Sequence, residues 1–313
     1  MTEDVTATCI VCDGTLSLML NEIYDTRFGI PNYYSVGRCK RCSVEQTLPS
    51  PPARELKDLY ETYYNFGGEK GTRYTDLRDR FLSSSMYHLW AAVDGDTSFH
   101  NRKGSGKLLD VGCNEGRGLR LYKQNGYLAD GLELNEAAAA VARSQGFTVH
   151  TQQLGAYQPQ EKYDVIVLSN VLEHSLDPKE MLMHVHTILK YGGHVWISCP
   201  NNRSWLRTLF GRFWINWHVP FHVVHFSVFT LKKILQDAGF IVTEIQHKTP
   251  SLWAAHSFIA SLFAKRGRPT KQLRNPLLIM FLMLFVRGFL FPGLWIGNLL
   301  GRGDCLIVTA RKS

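Results

Sequence analysis

The middle of the chain predicts an α/β fold with a doubly wound, mainly parallel sheet. Three observations support this prediction. Short apolar segments alternate with amphipathic ones, a glycine-rich turn joins the first apolar segment to a helix, and an acidic residue ends the second. Strands that alternate with helices pair in parallel, because each helix returns the chain to the same end of the sheet.

The glycine-rich turn lies in residues 107–118, which read KLLDVGCNEGRG. A short apolar strand around Asp110 leads into three glycines and then into an amphipathic run at 119–124. Gly112 permits a sharp turn, and Gly116 lets the backbone approach a ligand. The helix behind them offers unpaired N–H groups at its N-terminus. The segment therefore predicts a site for a small, partly charged ligand.

The second strand, LADGLEL at 128–134, ends near Glu133, which lies 23 positions after Asp110. This position falls at the tip of the neighbouring parallel strand, where an acidic residue suits a ribose diol. The next elements continue the alternation: an alanine-rich helix, a short strand and a strongly apolar strand, at 135–145, 147–150 and 163–169.

Four segments in this order resemble the motifs of class I S-adenosylmethionine (SAM) dependent methyltransferases: LLDVGCNEG, GLELN, YDVIVLSNVLEHSLDP and GGHVWISCPN. The resemblance implies a Rossmann-like, seven-stranded doubly wound sheet with an antiparallel last strand, and SAM as the cofactor. A nicotinamide-binding turn would read G-x-G-x-x-G, whereas here Asn114 lies between Gly112 and Gly116. Asn114 also departs from the family's usual glycine, but asparagine tolerates left-handed backbone angles better than most residues.

The resemblance assigns cofactor roles by position. Asp110 lies near the methionine amino group, the 112–116 backbone cradles the amino-acid end, and Glu133 takes the ribose hydroxyls. A lone carboxylate in an apolar strand needs a partner, which a cationic ligand supplies; a cap of the turn is the alternative. The residues expected at the cofactor are Asp110, Gly112, Cys113, Asn114, Gly116, Glu133, Leu134, Gln153 and Leu154 (near adenine), and Asn170 (at the end of the fourth strand).

The fourth strand also bears on the acceptor. Amino-methyltransferases that act on bases typically carry an N-P-P-Y-like sequence after this strand, where this chain has SNVLEH, so an oxygen or carbon acceptor is favoured. The pair Glu173-His174 resembles the family's E-H signature, which fixes the loop before the helix at Asp177. Methyl transfer from a sulfonium is an in-line displacement, and a hydroxyl nucleophile needs a base to remove its proton.

Three histidines follow the fifth strand and a predicted aromatic helix at 201–217, in the sequence HVPFHVVHFS. In relatives the H-x-x-H-F-S segment lies over the acceptor pocket, so we expect His222 or His225 to be the general base. His222 is preferred, because His225 immediately precedes Phe226-Ser227, and Ser227 or Thr230 is expected to cap the next helix, which makes His225 more structural. Structural histidines and a metal site of three imidazoles are the alternatives, although Pro220 interrupts any continuous helical face.

Four of the seven cysteines form two C-x-x-C pairs with 26 residues between them, namely Cys9, Cys12, Cys39 and Cys42. Four thiolates at this spacing predict a tetrahedral Zn²⁺ site without an open position, and so a structural one. Two disulfides or a redox pair are the alternatives. Metal binding would contribute on the order of 10 kcal/mol to the folding of so small a module. Cys113, Cys199 and Cys305 are expected to be small buried hydrophobes.

The predicted organisation comprises a zinc ribbon, a helical cap with a linker, a SAM-binding core, an acceptor-site cap and an apolar insertion, at 1–50, 51–105, 106–247 with 304–313, 200–229 and 248–303. A cysteine ribbon, a proline turn and a tyrosine-rich helix in this order resemble bacterial methyltransferases associated with modified sugars and surface polysaccharides. In the tyrosine-rich helix, Tyr64 or Tyr74 is expected to close over the cofactor, or else to pack in the core. Residues 1–8 lack the apolar core of a signal peptide, which predicts a cytoplasmic location.

The insertion at 248–303 carries eight basic residues and no acidic one, which accounts for the excess of 35 Lys and Arg over 27 Asp and Glu. Its longest apolar run, 277–286, is about half the ~20 residues that a transmembrane helix needs. We therefore expect helices that lie in the interface of an anionic membrane, with Trp253, Phe285 and Trp295 among the anchors. A buried lid, an interface between subunits and a true span are the alternatives.

Together these features predict a membrane-peripheral O-methyltransferase at the inner face of the membrane. Its acceptor would be a lipid-linked or cell-envelope glycan precursor, or another amphiphilic hydroxyl such as a quinol. The alternatives are a sugar C-methyltransferase that uses a nucleotide sugar, and a non-catalytic zinc-ribbon scaffold at a membrane. Nucleic acid is not expected as a partner, because the basic charge is interleaved with a Leu/Phe-rich segment rather than with a stacking platform.

Overall fold

The computed structural model of the protein describes residues 4–63, 80, 84–87, 91 and 97–313. The tyrosines predicted to close over the cofactor, Tyr64 and Tyr74, lie outside the described residues. Within them the chain begins with four strands and a helix: β1 (Asp4–Thr8), β2 (Thr15–Tyr24), β3 (Tyr33–Cys39), β4 (Glu45–Leu48) and α1 (Ala53–Tyr63).

The rest of the described chain alternates strands with helices, as the sequence predicts. The strands are β5 (Gly106–Val111), β6 (Tyr127–Leu132), β7 (Val149–His150), β8 (Tyr163–Ser169), β9 (Leu189–Pro200), β10 (Val224–His225), β11 (Phe240–Lys248) and β12 (Cys305–Lys312). The helices are α2 (Arg117–Gln124), α3 (Glu136–Ser144), α4 (Pro178–Ile188), α5 (Trp205–Phe210), α6 (Val228–Asp237), α7 (Ser251–Phe263), α8 (Pro276–Phe289) and α9 (Phe291–Leu299).

The larger sheet has seven strands in the order β7-β6-β5-β8-β9-β12-β11. The pairs from β7 through β9 are parallel, and β12 runs antiparallel to both of its neighbours. This arrangement confirms the predicted Rossmann-like α/β fold with an antiparallel last strand. The chain between β11 and β12 corresponds to the predicted insertion, and the two strands pair as neighbours.

The register of the central strands brings the predicted cofactor residues to one edge. Val111 at the end of β5 pairs with Leu132 of β6 and Leu168 of β8. The segments that follow these strands therefore begin side by side at the carboxyl edge of the sheet. In open α/β sheets this edge is where ligands bind.

The smaller sheet has five antiparallel strands in the order β1-β2-β3-β4-β10. Its first four strands are the cysteine-containing ribbon. Its fifth strand comes from the segment predicted as an acceptor-site cap, with Val224 opposite Gln46 and His225 opposite Glu45. The ribbon is thus hydrogen-bonded to chain that lies almost 180 positions further on.

The aromatic segment before the histidines is less helical than predicted. Helix α5 begins after Ser204, whose side chain accepts a hydrogen bond from the N–H of Leu206, and it ends at Gly211, where φ is +53°. The expected helix across 201–217 is therefore only six residues long. A positive φ at this glycine turns the chain away from the helical path.

The insertion contains two different kinds of helix. Helix α7 is packed into the protein: Ala254, Ala255 and Ile259 are fully buried, and Ser257 Oγ accepts a hydrogen bond of 3.1 Å from the N–H of Ile215. Trp253, predicted as a membrane anchor, packs against buried core residues instead.

Helices α8 and α9 are mostly exposed, although their residues are as apolar as those of α7. In the part of the chain that the structure describes, no single helix is long and apolar enough to cross a membrane. Taken together, α8 and α9 meet the length and composition of a span, but they are bent by 71° at the break between them.

Candidate functional site

The glycine turn after β5 adopts the left-handed backbone that its sequence predicts. The φ angles of Gly112, Asn114 and Gly116 are +72°, +51° and +79°. A Cβ atom on Gly116 would lie 2.9 Å from that of Ala142, so a side chain there would collide with α3. Asn114 adopts the angle that makes asparagine an acceptable substitute for the family's glycine.

Glu133 ties this turn to the next helix. Its carboxylate accepts hydrogen bonds from the N–H groups of Asn114, at 2.9 Å, and Asn135, at 2.8 Å. Asn135 in turn caps α3, because its side chain accepts from the N–H of Ala138. Glu133, the residue predicted to bind the ribose, therefore lies beside the glycine turn. Two backbone N–H groups fix the position of its carboxylate.

Asp110 lies under the turn and is 6% exposed. Among the described residues none donates a hydrogen bond to its carboxylate. Burial, and secondarily the charge of Glu133, raises the pKa of Asp110 to about 8. Two neighbouring carboxylates with one buried and unpartnered suit a cationic ligand, since a positive charge would stabilise both. Asp110 therefore fits the ammonium group of SAM, and Glu133 remains the residue expected at the ribose.

The other predicted cofactor residues differ in exposure. Cys113 is buried, and its burial raises the pKa of the thiol. Leu134 is 67% exposed beside Glu133, Gln153 is exposed and Leu154 is buried. Asn170 follows β8 at the same sheet edge, with φ of +53° and its N–H donating to the backbone oxygen of Ser198.

The four cysteines of the ribbon converge. The Sγ atoms of Cys9 and Cys42 are 3.5 Å apart, as are those of Cys12 and Cys39, and all four lie within 4.8 Å of one another. Four sulfurs about 2.3 Å from one tetrahedral Zn²⁺ ion would be separated by about 3.8 Å. The contact with Cys42 lowers the pKa of Cys9 to about 5. The geometry therefore fits one metal ion better than two separate disulfides or a single redox pair.

His222, the preferred general base, is buried in the segment between α5 and β10. Its Nδ1 lies 2.8 Å from the backbone oxygen of Asn216, and because a carbonyl oxygen only accepts, this nitrogen carries the proton. Nε2 therefore keeps its lone pair. Burial, with smaller effects from His174 and other charges, lowers the pKa of His222 well below its usual value, so the ring is neutral at neutral pH.

His225 has the opposite tautomer. The hydroxyl of Thr47 donates its proton to the backbone oxygen of His222 at 2.6 Å, so it accepts from His225 Nε2, 3.0 Å away. Burial lowers the pKa of His225 to about 3. This ring therefore joins the core to the ribbon through Thr47.

One grouping was not predicted from the sequence. Glu173 and His174, after β8, meet His222, so that one possible ligand atom of each lies within 4.8 Å of the others. From the sequence, the E-H pair was expected mainly to position a loop, with a chemical role as the alternative. Its proximity to a histidine 48 positions later could not be predicted, because it depends on how residues 211–223 fold back.

The fold and the glycine turn define a class I SAM-dependent methyltransferase. Comparison with known proteins agrees: residues 79–245, more than half of the chain, match the family described as "Methyltransferase domain". The chain belongs to this family.

Curated relatives include ubiquinone biosynthesis O-methyltransferases. The protein of that name from Pseudomonas aeruginosa (strain LESB58) is 34% identical over 103 residues, which cover 30% of this chain and 44% of that protein. The one from Pseudomonas syringae pv. tomato is 29% identical over 169 residues, which cover 50% of this chain and 73% of that protein. The chain thus spans less than half of the length of the first of these relatives.

Solved structures share the fold at low identity. The structure of the [4+2]-cyclase SpnF superposes with a TM-score of 0.50 at 16% identity, over 84% of this chain and 97% of that chain. A SAM-dependent methyltransferase from Mesorhizobium loti gives a TM-score of 0.44 at 20% identity, over 74% of this chain and 99% of that chain. Because the first of these is named as a cyclase, similarity of fold does not by itself define the reaction.

Proposed function

We propose that this protein transfers the methyl group of SAM to a hydroxyl oxygen of an amphiphilic acceptor at an anionic membrane surface. In this reaction the acceptor oxygen forms a bond to the methyl carbon, and the electron pair of the S–CH₃ bond goes to sulfur. The products are the methyl ether and S-adenosylhomocysteine, and the hydroxyl proton is released.

Two observations favour oxygen as the methylated atom. The curated relatives bear the name of O-methyltransferases. The sequence after β8 is Ser-Asn-Val-Leu-Glu-His rather than the N-P-P-Y-like sequence typical of enzymes that methylate exocyclic amines. We prefer His222 to His225 as the base, because His222 Nε2 keeps its lone pair while the ring of His225 is held by its hydrogen bond to Thr47.

The observation that carries the membrane part of the proposal is an exposed apolar surface on the last two helices, hereafter the α8–α9 face. Its exposed side chains are Leu277, Met280, Phe281, Leu284, Phe285, Phe289, Phe291, Trp295, Ile296 and Leu299. Patches of this kind on soluble domains mark sites of interaction. Amphipathic helices bury such a face at the boundary between headgroups and acyl chains.

Charge favours a membrane as the occupant of this face. The segment just before α8 carries Lys265, Arg266, Arg268, Lys271 and Arg274, all exposed. The whole insertion contains no Asp or Glu. Basic side chains beside an apolar face attract anionic headgroups. A second subunit that buried the same face would have to supply acidic groups opposite these five cations.

We also propose a structural Zn²⁺ ion in the ribbon. The four convergent thiols would hold it and leave no open position for substrate. The ion would fix the two cysteine turns, and through β4 it would support the segment that carries His222 and His225.

The acceptor class is tested by incubating the purified protein with SAM labelled in its methyl group and with extracted lipids or soluble nucleotide sugars. We expect label in the lipid fraction, in a base-stable ether. His222→Ala should lower turnover by about 100- to 10,000-fold, the range for a lost proton-transfer group, while SAM affinity changes little. Label in the nucleotide sugars alone would replace this proposal with the C-methyltransferase alternative.

Membrane association is tested by co-sedimentation of the protein with vesicles of phosphatidylglycerol and, separately, of phosphatidylcholine. We expect binding to the anionic vesicles and its loss in the triple variant Phe281→Ser, Phe289→Ser, Trp295→Ser. A matched control changes three apolar residues that are exposed elsewhere, Leu128, Met183 and Tyr191, to Ser and should bind normally. A wild-type protein that stays in the supernatant would refute membrane association.

A further inference from the structure

Glu173 is an unusual carboxylate. The residue is 1% exposed, and neither of its carboxyl oxygens has a hydrogen-bond partner in the described part of the chain. Its position is nevertheless fixed, because its backbone oxygen accepts from the N–H of Val223 at 2.8 Å. A buried carboxyl group without a partner is costly, and burial here raises the pKa of Glu173 to about 8. Among the described residues, no side chain compensates this carboxyl group.

The two imidazoles beside Glu173 are held in the same way. The Nδ1 of His174 lies 3.0 Å from the backbone oxygen of Phe221, and the Nδ1 of His222 lies 2.8 Å from that of Asn216. The hydroxyl of Tyr60 is also 2.7 Å from His174 Nδ1. An N–H donated to a backbone carbonyl leaves the opposite nitrogen as a lone pair and fixes the direction of the ring. This is the outer-shell arrangement found around histidines that bind metals.

These observations bring the carboxyl group of Glu173 and the imidazoles of His174 and His222 around one point. One ligand atom of Glu173, of His174 and of His222 lies within 4.8 Å of each of the others. Donors that lie about 2.0–2.2 Å from one tetrahedral ion are separated by about 3.3–3.6 Å, so binding would require these side chains to move inward by about 1 Å. We propose that Glu173, His174 and His222 form a second metal site, which binds a divalent transition-metal ion.

The ligand set indicates which ion and which kind of site. Two imidazoles and one carboxylate are typical of zinc and of non-haem iron, whereas magnesium and calcium prefer oxygen ligands throughout. Three protein ligands leave at least one position open, unlike the four cysteines of the ribbon. His174 is only half-buried, so the open position is on the accessible side of the cluster.

One neighbour competes with the ion. His218 Nδ1 lies 3.4 Å from His222 Nε2, at the outer limit of a hydrogen bond. A metal ion on His222 Nε2 would replace this long contact. The same lone pair cannot hold both a proton and a metal ion. With an ion bound, His222 would not be free to accept a proton; the ion would lower the pKa of a hydroxyl held at its open position, and that proton would pass to solvent water. This consequence for the reaction rests on the proposed methylation, whereas the metal site itself does not.

The test measures metal content and requires no acceptor. Full-length protein is equilibrated with Zn²⁺, freed of unbound ion and analysed for zinc per chain. We expect two equivalents in the wild-type protein and one in Glu173→Gln, because the substitution removes the charge while keeping shape and leaves the ribbon intact. His225→Gln is the matched control, a buried histidine of the same segment outside the cluster, and should retain two. One equivalent in the wild-type protein, or two in Glu173→Gln, would overturn the proposal.

A second measurement uses only the wild-type protein. Cobalt is added after one equivalent of zinc has been supplied to fill the four-cysteine ribbon site. Ions bound by nitrogen and oxygen show weak d–d absorption without the strong sulfur-to-cobalt band of a thiolate site. We expect these weak bands to saturate at one equivalent, and their absence would refute the site. Since neither measurement involves methyl transfer, its failure would leave the proposed reaction standing.

Discussion

Thr47 in the ribbon and His225 in the core share a hydrogen bond of 3.0 Å, and the same hydroxyl donates to the backbone oxygen of His222 at 2.6 Å. All three groups are buried. One hydroxyl therefore joins the small sheet to the segment that carries the two candidate catalytic histidines.

Replacing this hydroxyl with a methyl group should weaken the whole protein. Thr47→Val keeps the shape of the side chain but leaves a buried carbonyl and a buried imidazole N–H without partners, at about 1–3 kcal/mol for each orphaned group. Denaturant unfolding should show a lower midpoint with an unchanged slope. Thr62→Val removes a hydroxyl that is bonded to Asp58 at an exposed position, and it should leave the midpoint unchanged. An unaltered midpoint for Thr47→Val would show that the contact is not formed in solution.

Glu133→Ala should weaken SAM binding by about 10- to 100-fold, which corresponds to the loss of one or two hydrogen bonds to a charged group. Isothermal titration gives the affinity directly. Because Glu133 also accepts from Asn114 and Asn135, a small loss of melting temperature is expected as well. Glu136→Ala, which alters an exposed carboxylate in the same region, is the control for general changes in charge. Unchanged affinity in Glu133→Ala would remove this residue from the ribose role.

Asp110 should make stability fall as pH rises. Its pKa is 3.8 in the unfolded chain and about 8 in the folded protein, so between these values the folded state holds a proton that the unfolded state has lost. This contribution to stability is complete below about pH 4 and is lost as pH rises through about 8. Without SAM, the melting temperature should decline less steeply with pH in Asp110→Asn than in the wild-type protein. Glu173 and Asp304, whose pKa values are also raised, remain in both proteins and cancel in the comparison.

SAM binding provides the complementary pH test. The cationic ligand requires the ionised carboxylate, so the affinity of the wild-type protein should increase as pH approaches and passes about 8. Asp110→Asn should bind more weakly and lose this pH dependence. Parallel curves for the two proteins would exclude Asp110 as the group that meets the ammonium.

Removing the ribbon's metal should affect more than the ribbon. Cys39→Ser takes away one of four thiolate ligands, and we expect loss of the ribbon zinc and a fall in stability of several kcal/mol, part of the roughly 10 kcal/mol that such an ion provides. Because β10 pairs with β4, hydrogen exchange should also increase in Val224–His225. Cys199→Ser, at a buried cysteine far from the ribbon in sequence, should retain the zinc. Full protection of β10 in Cys39→Ser would show that the two parts are independent.

Sequence patterns predicted the large sheet well, because each strand and helix carries its own periodicity. The glycine turn and Glu133 could be found for the same reason: their roles follow from their position at strand ends. The pairing of β10 with β4 could not, since a strand of two residues has no periodicity and its partner lies almost 180 positions away. The proximity of Glu173 to His222 could not be predicted either, since these residues are also far apart in the sequence.

The insertion shows a second limit of prediction from sequence. Helices α7 and α8 are both strongly apolar, yet Ala254 and Ala255 of α7 are buried while Phe281 and Phe289 of α8 are 66% and 76% exposed. Composition alone describes how much apolar surface a helix has and not what covers it. The small side chains of α7 allow close packing against the chain around Ile215, and the aromatic ones of α8 project outward.

The fifth strand of the ribbon sheet also limits how the protein can be divided. A fragment that ended near residue 50 would expose the edge of β4, and a core that began after it would lose the partner of Val224 and His225. Chimaeric enzymes that exchange ribbons between relatives would therefore have to exchange β4 and β10 together. During evolution, substitutions in β4 should be accompanied by substitutions in β10. The cysteines, by contrast, could be gained or lost by changes in the ribbon alone.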